Sequence, residues 1–401
     1  MAGGTGTVYP VSGSQIGLAV EKTRGTLEAA PQYMFPITSP KYDPMQTYIP
    51  DQTLQGSAVK TYAEILGMRY DKHGWTAPVY LDSFPIILAG ILGSPDTLVT
   101  APTANTLAAA ALPGATTLTL TTAGTAGTWI TVGTYPTLET HLVTAVTSVT
   151  PFTATLATPL IYAQADGATV TGLTAHKSSL NNTGQFQPYS LSLWDNDNEE
   201  WRSMTGCQLG EVSIKGNATG LVEYTVTLMG NPATKNVAAP SVAYTGTLTV
   251  APWTFTFLLG GTQVQSVEDW EITLNRDTKE VPALTGTQEY LEYFADMLDI
   301  TAKITFDEQS GSPYLEAYEN GVEQSIDMTL FDMKTGFALN LHSSNAAFTT
   351  GSLERGNAEW VKVPIDVQPL PTAADALDGG VSPILATVAN SITTAYAPNS
   401  V

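Results

Sequence analysis

The chain has 401 residues, of which 43% are hydrophobic and only 13% charged, so it can bury a sizeable core and is unlike a disordered chain. Its 16 Lys and Arg stand against 37 Asp and Glu, which gives a formal net charge of −21. Proteins that bind nucleic acid neutralise phosphates with basic side chains, so this balance argues against tight binding of DNA, RNA or anionic membranes.

The N-terminal region has no basic segment followed by an apolar run, and no apolar stretch is long enough to span a bilayer. We therefore expect a protein that is synthesised in a cytoplasm and has no membrane segment. A short helix is predicted after Asp82 or Ser83, either of which can cap it. Pro85 is tolerated in its first turn and Gly93 closes it. For residues 59–66, helix and strand are both open.

A change in composition marks residues 97–175, which contain no Lys or Arg and only two acidic residues, Glu139 and Asp166. Both flanks carry ordinary mixed charge. Short runs of alternating polar and apolar residues, separated by Gly and Pro, predict about five antiparallel strands in a small sandwich or barrel. We therefore predict an inserted all-β domain of immunoglobulin-like type at 95–178. Its predicted strands are 116–121, 129–132, 140–146, 152–156 and 168–170.

The remainder of the chain is predicted to be mostly strand. A helix is expected from Tyr290 to Leu298, because apolar residues lie there at helical spacing and Thr285 with Gln288 resembles a capping box. From Pro369 onward, Pro, Ala, Gly and Ser indicate a loosely held tail. The predicted strand pairs are 189–194 with 201–205, 208–215 with 221–229, and 246–258 with 264–274. Further strands are predicted at 303–307, 312–318, 325–330, 346–353 and 359–367, and a polar turn at 340–345.

No catalytic, cofactor-binding or metal site is predicted. The acidic run at 195–199 lacks the Gly and Glu positions of an EF-hand loop, so it is expected to form a β-turn. Cys207 is expected to be a buried structural thiol. Signatures of nucleotide binding and of serine hydrolases are absent. Four histidines lack metal-ligand spacing and are expected at the surface or in turns: His73, His141, His176 and His342.

Outside the inserted block, the order and spacing of the elements resemble the major tail tube proteins of long-tailed, siphophage-type bacteriophages. The resemblance covers roughly 1–93 and 180–370, and it is carried by residues 67–93, 205–232, 271–276 and 358–367. Its most typical stretch is TGCQLGEVSIKG followed by LVEYTVTLMGNP. It implies a mainly-β fold, a tail-tube-type β-sandwich with flanking short helices. The implied units are a tail tube domain at 1–94 and 179–370, the insert at 95–178, and a C-terminal extension at 371–401.

The resemblance also implies a structural virion protein. Six subunits would join edge to edge into a ring whose lumen is a β-barrel, and stacked rings would form the tail tube that conducts DNA. Six copies at −21 each make about −126, so the lumen would repel phosphate and DNA would pass without specific binding. Implied partners are further copies of the chain, the tail terminator, tail-tip or baseplate proteins, and the tape measure protein in the lumen.

Position along the chain suggests two regions for ring or stacking contacts, the segment 41–60 and the hairpin loop between Lys215 and Leu221. Ordinary solvent-exposed loops are the alternative interpretation. The residues predicted for these contacts are Lys41, Tyr42, Asp51, Lys60, Lys215, Asn217 and Thr219.

Two other functions compete with a tube subunit. A virion or cell-surface adhesin could bind carbohydrate through the Thr-rich domain, although no signal peptide is visible. A hydrolase could use two carboxylates that are distant in sequence. A tube subunit should self-assemble at high concentration, an adhesin should be retained on a glycan column, and an enzyme should remain a small discrete species.

Because the inserted block lacks charge and has closely spaced joints, we predict that it lies on the outside of the tube. Deleting residues 95–175 is expected to leave tube formation intact, since the predicted ring and stacking contacts lie elsewhere. Negative-stain electron microscopy of the concentrated deletion variant checks this expectation, and loss of assembly would count against it.

Overall fold

The computed structural model describes residues 14–29, 31–53, 59–94, 96–181, 186–195, 200–236, 249–284, 286–308, 314–355 and 360–396. These residues form a mainly-β fold, as predicted, and every strand ladder is antiparallel. Two α-helices, α1 (Phe84–Leu92) and α2 (Tyr314–Glu319), accompany the strands, together with 3₁₀ turns at Pro252–Thr254 and Ala373–Asp375.

The strands in the first half of the chain are β1 (Ser14–Val20), β2 (Tyr33–Phe35), β3 (Ser39–Asp51), β4 (Ala63–Pro78), β5 (Thr97–Val99), β6 (Asn105–Thr106), β7 (Thr117–Leu120), β8 (Trp129–Val132), β9 (Glu139–Val146), β10 (Phe152–Leu156), β11 (Thr169–Ser179) and β12 (Tyr189–Asp195). Those in the second half are β13 (Glu200–Asn217), β14 (Glu223–Gly230), β15 (Thr234–Asn236), β16 (Thr256–Leu259), β17 (Thr262–Val264), β18 (Val267–Val281), β19 (Glu292–Asp307), β20 (Gln324–Phe331), β21 (Ala338–Gly351), β22 (Lys362–Pro369) and β23 (Leu385–Asn390).

One large sheet forms the body of the molecule. Its neighbouring strands follow the order β3–β4–β14–β13–β18–β19–β22–β21. From β21 it continues to β20–β16–β17 and to β23–β11–β5. A second layer of β2, β1, β12 and β15 joins through the first half of β13. The two layers share one apolar core.

Helix α1 is enclosed by this core, and all nine of its residues are buried. Pro85 stands in the first turn, and Gly93 ends the helix with φ of 76°, its N–H donating to Ala89 O at 2.8 Å. Ser83 precedes the helix, but its side chain makes no capping hydrogen bond. Burial on every side therefore stabilises a helix too short to persist alone in water.

The inserted residues form a unit with a core of their own, built from Leu118, Ile130, Val132 and other apolar side chains. All five strands predicted from its alternating pattern are present. Their pairings run β6–β11–β8–β9–β10–β7, and Thr121 N donates to Thr106 O at 3.0 Å to join the two ends. The pairing order therefore closes on itself, as in a small barrel, which is one of the two arrangements that the alternating pattern predicted.

The joint between the insert and the body is packed and hydrogen-bonded. Trp129 of the insert packs in one buried cluster with Phe331 and Ala338 of the body. Thr140 Oγ1 donates to Gly336 O at 2.6 Å. These contacts fix the insert to β20, β21 and the turn between them. The seven strands of the sheet from β3 through β22 in the order given above make none of these contacts.

A buried hydrogen-bonded pair, His176 and Asp96, holds the two chain crossings together. His176 Nδ1 lies 2.6 Å from Asp96 Oδ2, and His176 Nε2 lies 3.0 Å from Ile392 O and 3.1 Å from Asn390 Oδ1. The N–H of Tyr396 also donates to Asp96, at 3.0 Å. The start of the insert, its end and the segment after β23 therefore meet at one histidine.

The predicted helix at 290–298 is wrong, because residues 292–298 form the first half of β19 and Tyr290 and Leu291 precede that strand without helical structure. Tyr293 and Ala295 are buried, whereas Leu291, Phe294 and Met297, which gave the helical spacing, are exposed. Pairing with β18 overrides the local pattern. Thr285 of the expected capping box lies outside the described residues.

Three further expectations are corrected. Residues 314–319 are helix α2 and not strand, and 340–345 continue β21 because Asn340 and His342 bond to Asp327 across the strand pair. The tail is not loose over 371–396, since β23 pairs with both β11 and β21.

Two of the three predicted strand pairs are confirmed as β12–β13 and β13–β14. The third is wrong, because β16 pairs with β17 and β20 while β18 pairs with β13 and β19. The open segment at 59–66 is strand from Ala63 onward. The predicted turn at 195–199 lies mostly outside the described residues.

The histidines also differ from expectation. His73, His141 and His176 are 2–3% exposed. Two of them bond to buried carboxylates, which compensates for their burial, while burial lowers the pKa of His73 to about 4 and keeps it neutral. Cys207 is buried as predicted, and burial raises the pKa of its thiol.

Replacing Trp129 by Ala should remove the largest apolar contact at the joint. We expect the free energy of unfolding to fall by about 3–5 kcal/mol, as for other buried aromatic deletions. Urea denaturation followed by circular dichroism measures the change. The control is Leu112→Ala in the same unit, where the side chain is 73% exposed and the expected change is within about 0.5 kcal/mol. Equal stability of the two variants would contradict the joint's role.

Candidate functional site in the polar sheet face and its hairpins

The seven adjacent strands from β3 to β22 present one polar face to solvent. In β18, Trp270, Ile272 and Leu274 are buried in the core, whereas Glu271 and Asn275 on the alternate positions are exposed. Side chains on a strand point alternately to opposite faces, so a sheet with one apolar face has a polar face opposite. We call this surface the polar face.

Strand register arranges the polar face in transverse rows. One row consists of hydroxyl side chains on six neighbouring strands, and Thr76 Oγ1 lies 3.1 Å from Thr225 Oγ1 within it. Short uncharged side chains give this band no strong attraction for either sign of charge. The residues of the row are Ser39, Thr76, Thr225, Ser213, Thr273 and Thr301.

Beyond the end of β14, the outer halves of β3 and β4 continue as a two-stranded ribbon, residues 46–51 with 63–70, here called the first hairpin. A bulge between Gln46 and Tyr48 marks the place where it leaves the sheet. Bulges bend and twist a strand locally, so the ribbon is directed away from the sheet.

Both faces of the first hairpin are apolar and exposed. Tyr48 pairs with Leu66 and Ile49 pairs with Ile65, and all four side chains are 54–59% exposed. Consecutive residues on a strand point to opposite faces, so each face of the ribbon carries one of these pairs. A soluble monomer gains nothing from such exposure, which is typical of a surface that another protein covers.

A second hairpin is formed by the outer halves of β18 and β19, residues 276–281 and 292–298. Sequence reasoning missed it, because its apolar residues were assigned to a helix. Leu284, Leu291 and Met297 are 107%, 61% and 84% exposed. Because its exposed apolar residues lie at helical spacing, no signal in the sequence distinguished this hairpin from a helix.

The two hairpins touch each other. Arg69 N donates to Gln288 O at 2.8 Å, and the rings of Tyr70 and Tyr290 lie 5.7 Å apart. Burial and a hydrogen bond to Glu280 raise the pKa of Tyr70 to about 12, so it stays protonated and donates to that carboxylate. The hairpins therefore project from one end of the sheet as a single supported structure.

Arg276 connects the base of the second hairpin to the core. Its side chain is 3% exposed, and it donates from Nε to Ile91 O at 2.6 Å and from Nη2 to Leu92 O at 3.1 Å. These are the last two carbonyls of α1, where a cation is favourable. The guanidinium also lies 4.1 Å from the centre of the Phe186 ring. Burial lowers its pKa to about 10, which leaves it charged at neutral pH.

The opposite end of the sheet carries the short loop between β13 and β14. Asn217 Oδ1 accepts from Thr219 N at 3.0 Å and from Gly220 N at 2.5 Å, which holds the loop in one shape. Lys215 precedes the loop and lies 3.8 Å from Glu223 across the strand pair. The loop is small and polar, unlike the two hairpins at the other end.

The contact residues predicted from the sequence lie in three places: the hairpin end of the sheet, the loop end and the polar face. Asp51 lies on the first hairpin and Lys60 is an exposed residue of the connection between its strands, whereas Lys215, Asn217 and Thr219 lie at the loop end. Lys41 lies on the polar face, 2.6 Å from Asp43.

Tyr42 has a different environment. Its hydroxyl donates to Asp71 at 2.6 Å, and the guanidinium of Arg202 lies 5.1 Å from its ring. Burial and the Asp71 carboxylate raise its pKa to about 12. This half-buried side chain is held by contacts within the subunit.

Comparison with protein families gives a match over residues 12–389 to the family described as phage tail tube protein. The chain belongs to the phage tail tube protein family. Comparison with curated proteins gives no match. A member of this family is a structural component of the virion tail, assembling into a tube with other tail proteins, and a structural family of this kind favours a non-enzymatic role.

The described part of this tail tube protein contains no cluster of three or more His, Cys, Asp and Glu that could hold a metal ion. Its most elaborate carboxylate site is structural: Glu139 accepts from Ile161 N at 2.6 Å and Tyr162 N at 2.7 Å, with His141 at 3.2 Å. Burial raises the pKa of Glu139, but these hydrogen bonds outweigh that effect and lower it. Among the described residues, no helix is long and apolar enough to cross a membrane.

Replacing Arg276 by Lys should keep the positive charge and remove the two guanidinium N–H donors, Nε and Nη2, that bond to the last two carbonyls of α1. An ammonium group cannot reproduce the fork to Ile91 O and Leu92 O, although Leu92 O keeps the N–H of Asn181 at 3.0 Å, so we expect the free energy of unfolding to fall by about 1–3 kcal/mol. Urea denaturation tests this, with the exposed Arg355→Lys as the matched control. A loss no larger than in the control would show that Arg276 contributes only its charge.

Proposed function

We propose that this chain is the ring-forming subunit of the tail tube, and that six copies join edge to edge with the polar face lining the lumen. The observation that carries the proposal is the placement of three surfaces on one sheet. A polar face seven strands wide has apolar hairpins at one end and a small polar loop at the other. This arrangement suits a subunit with an inner wall and two different stacking ends.

The edge of β3 supports lateral assembly. In the described residues β3 takes part in one strand pairing, with β4, so its outer edge is not covered by another described strand, although Pro40, Pro44 and Pro50 have no backbone N–H to donate. Exposed edges of this length favour pairing with another strand, and a closed ring leaves none unpaired. A neighbouring copy in a closed hexamer would satisfy this edge.

The first and second hairpins support axial assembly. Their exposed apolar residues need a partner, and the loop end of the next ring is the surface that stacking would bring to them. The proposed contact residues are those predicted from the sequence at both ends. A tube built this way grows in one direction, because its two ends differ.

The proposed lumen conducts DNA without binding it. Six copies at −21 each carry about −126, which repels phosphates before counterions are counted. The tape measure protein would occupy the lumen before DNA passes, and the tail terminator and tail-tip or baseplate proteins would close the ends. Synthesis in the host bacterial cytoplasm and the absence of catalysis belong to the same proposal.

The proposed division of the chain is a tail tube domain at 1–94 and 179–370, an insert at 95–178 on the tube exterior, and an extension at 371–401. The insert packs on β20 and β21, which are not among the seven strands of the polar face. A deletion that tests its position should keep Asp96 and residues 174–179, because these belong to the buried hydrogen bond between His176 and Asp96 and to the pairing with β23.

Negative-stain electron microscopy of the concentrated protein tests the proposal. Hollow tubes or stacked rings of six support it. Discrete particles at every concentration, together with retention on a glycan column, would favour the adhesin.

Replacing both Ile49 and Ile65 by Asp should prevent tube formation. The two side chains form an exposed cross-strand pair, so the change places adjacent charges on the stacking surface while the subunit remains folded. Circular dichroism checks the fold and microscopy counts the tubes. The control, Leu112→Asp, adds a charge to an exposed apolar position of the insert and should assemble normally. Tubes at normal yield from the double variant would overturn the role of the first hairpin.

A further inference from the structure

A row of charged residues with alternating sign crosses the polar face, parallel to the hydroxyl row. Lys215 pairs in register with Glu223 on one side and with Glu271 on the other. Lys303 pairs with Glu271 on one side and with Asp366 on the other. Five adjacent strands, β14, β13, β18, β19 and β22, therefore contribute charges in the order minus, plus, minus, plus, minus, which we call the charge row.

All five side chains of the charge row lie on the solvent side. Glu271 and both lysines are exposed, and the two end residues, Glu223 and Asp366, are half-buried. Directly opposed residues on antiparallel strands have Cβ atoms about 4.5–5.5 Å apart, which places each lysine next to two carboxylates. Lys215 Nζ is 3.8 Å from Glu223 Oε2.

Neighbouring hydroxyl groups orient two of the carboxylates. Ser213 Oγ donates to Glu271 Oε1 at 2.6 Å, and Thr350 Oγ1 donates to Asp366 Oδ2 at 2.6 Å. These hydrogen bonds come from the same sheet, so the carboxylates of Glu271 and Asp366 do not turn freely into solvent.

Two other lysines near the polar face are also paired with carboxylates. Lys41 lies 2.6 Å from Asp43, and Lys362 lies 2.8 Å from Glu268. Binding of a nucleic-acid backbone depends on cations that replace its counterions. A lysine that is already paired with carboxylates on its own sheet has less to offer a phosphate.

We infer that the charge row shields its lysines from a passing phosphate backbone while keeping the sheet free of adjacent like charges. This inference rests on the proposed lumen. An entirely acidic row would repel DNA but would place like charges directly opposite each other, which destabilises a sheet. Alternation avoids that repulsion and still leaves the row with an excess of one negative charge.

The test compares two variants with the same net charge. E223Q/E271Q/D366N removes the three carboxylates of the charge row and frees two lysines. E316Q/E319Q/D378N removes three exposed carboxylates elsewhere, on α2 and in the loop before β23. Binding of a fluorescent duplex is measured by anisotropy with dilute, unassembled protein over a range of salt concentrations, so the result does not depend on tube formation.

We expect the row variant to bind duplex DNA about tenfold more tightly than the control at low salt. Its slope of log affinity against log salt concentration should be steeper by about two, one phosphate contact for each freed lysine. The affinity of E271Q for duplex DNA should lie between those of the row variant and the wild type. This single variant tests the same point if the triple variant does not fold.

Equal affinity of the row variant and the control would overturn the inference, because binding would then follow net charge alone. Tube formation by the wild type is scored separately by microscopy. A chain that forms tubes but shows no effect of the row contradicts only the shielding role. If the row variant binds DNA more tightly than the control but the wild type forms no tubes, the result contradicts the proposed function of the chain.

Discussion

Antiparallel pairing in a sheet that is covered on one side is the constraint on which the rest of this structure depends. The backbone hydrogen bonds of β18 with β13 and β19 fix which of its residues face the core. Ile272 and Leu274 must then pack against the core around α1, and Glu271 and Thr273 must face water. The polar face is therefore a product of the same register that builds the core, and a shift by one residue would exchange the two.

The sequence predicted the elements of the fold that depend on residues close together in the chain. The insert alternates cleanly because its strands are short and pair with near neighbours, and α1 carries its own Pro and Gly signals. Prediction failed where distant pairing decides. Phe294 and Met297 lie at helical spacing, yet pairing with β18 places them in strand β19, where both side chains are exposed.

The candidate site shows the same division. The contact residues predicted from position along the chain include residues at both ends of the sheet, in the β3–β4 and β13–β14 connections. Position along the chain did not lead to the second hairpin, to Arg276 or to the charge row, because each depends on strands that are brought together by the fold. The buried state of His176 was also missed, since its partners Asp96 and Asn390 are far away in sequence.

The pairing of β11 with β23 has a consequence for the timing of folding. β11 leaves the insert and enters the body, and its neighbour β23 follows every other described strand in the chain. The ribosome must therefore have made residues up to Asn390 before this part of the sheet can close. Contacts of such long range slow folding, so a nascent chain stays incomplete until late in translation. The strands of the polar face, which all precede β23 in the chain, are therefore made before the joint between the insert and the body can be completed.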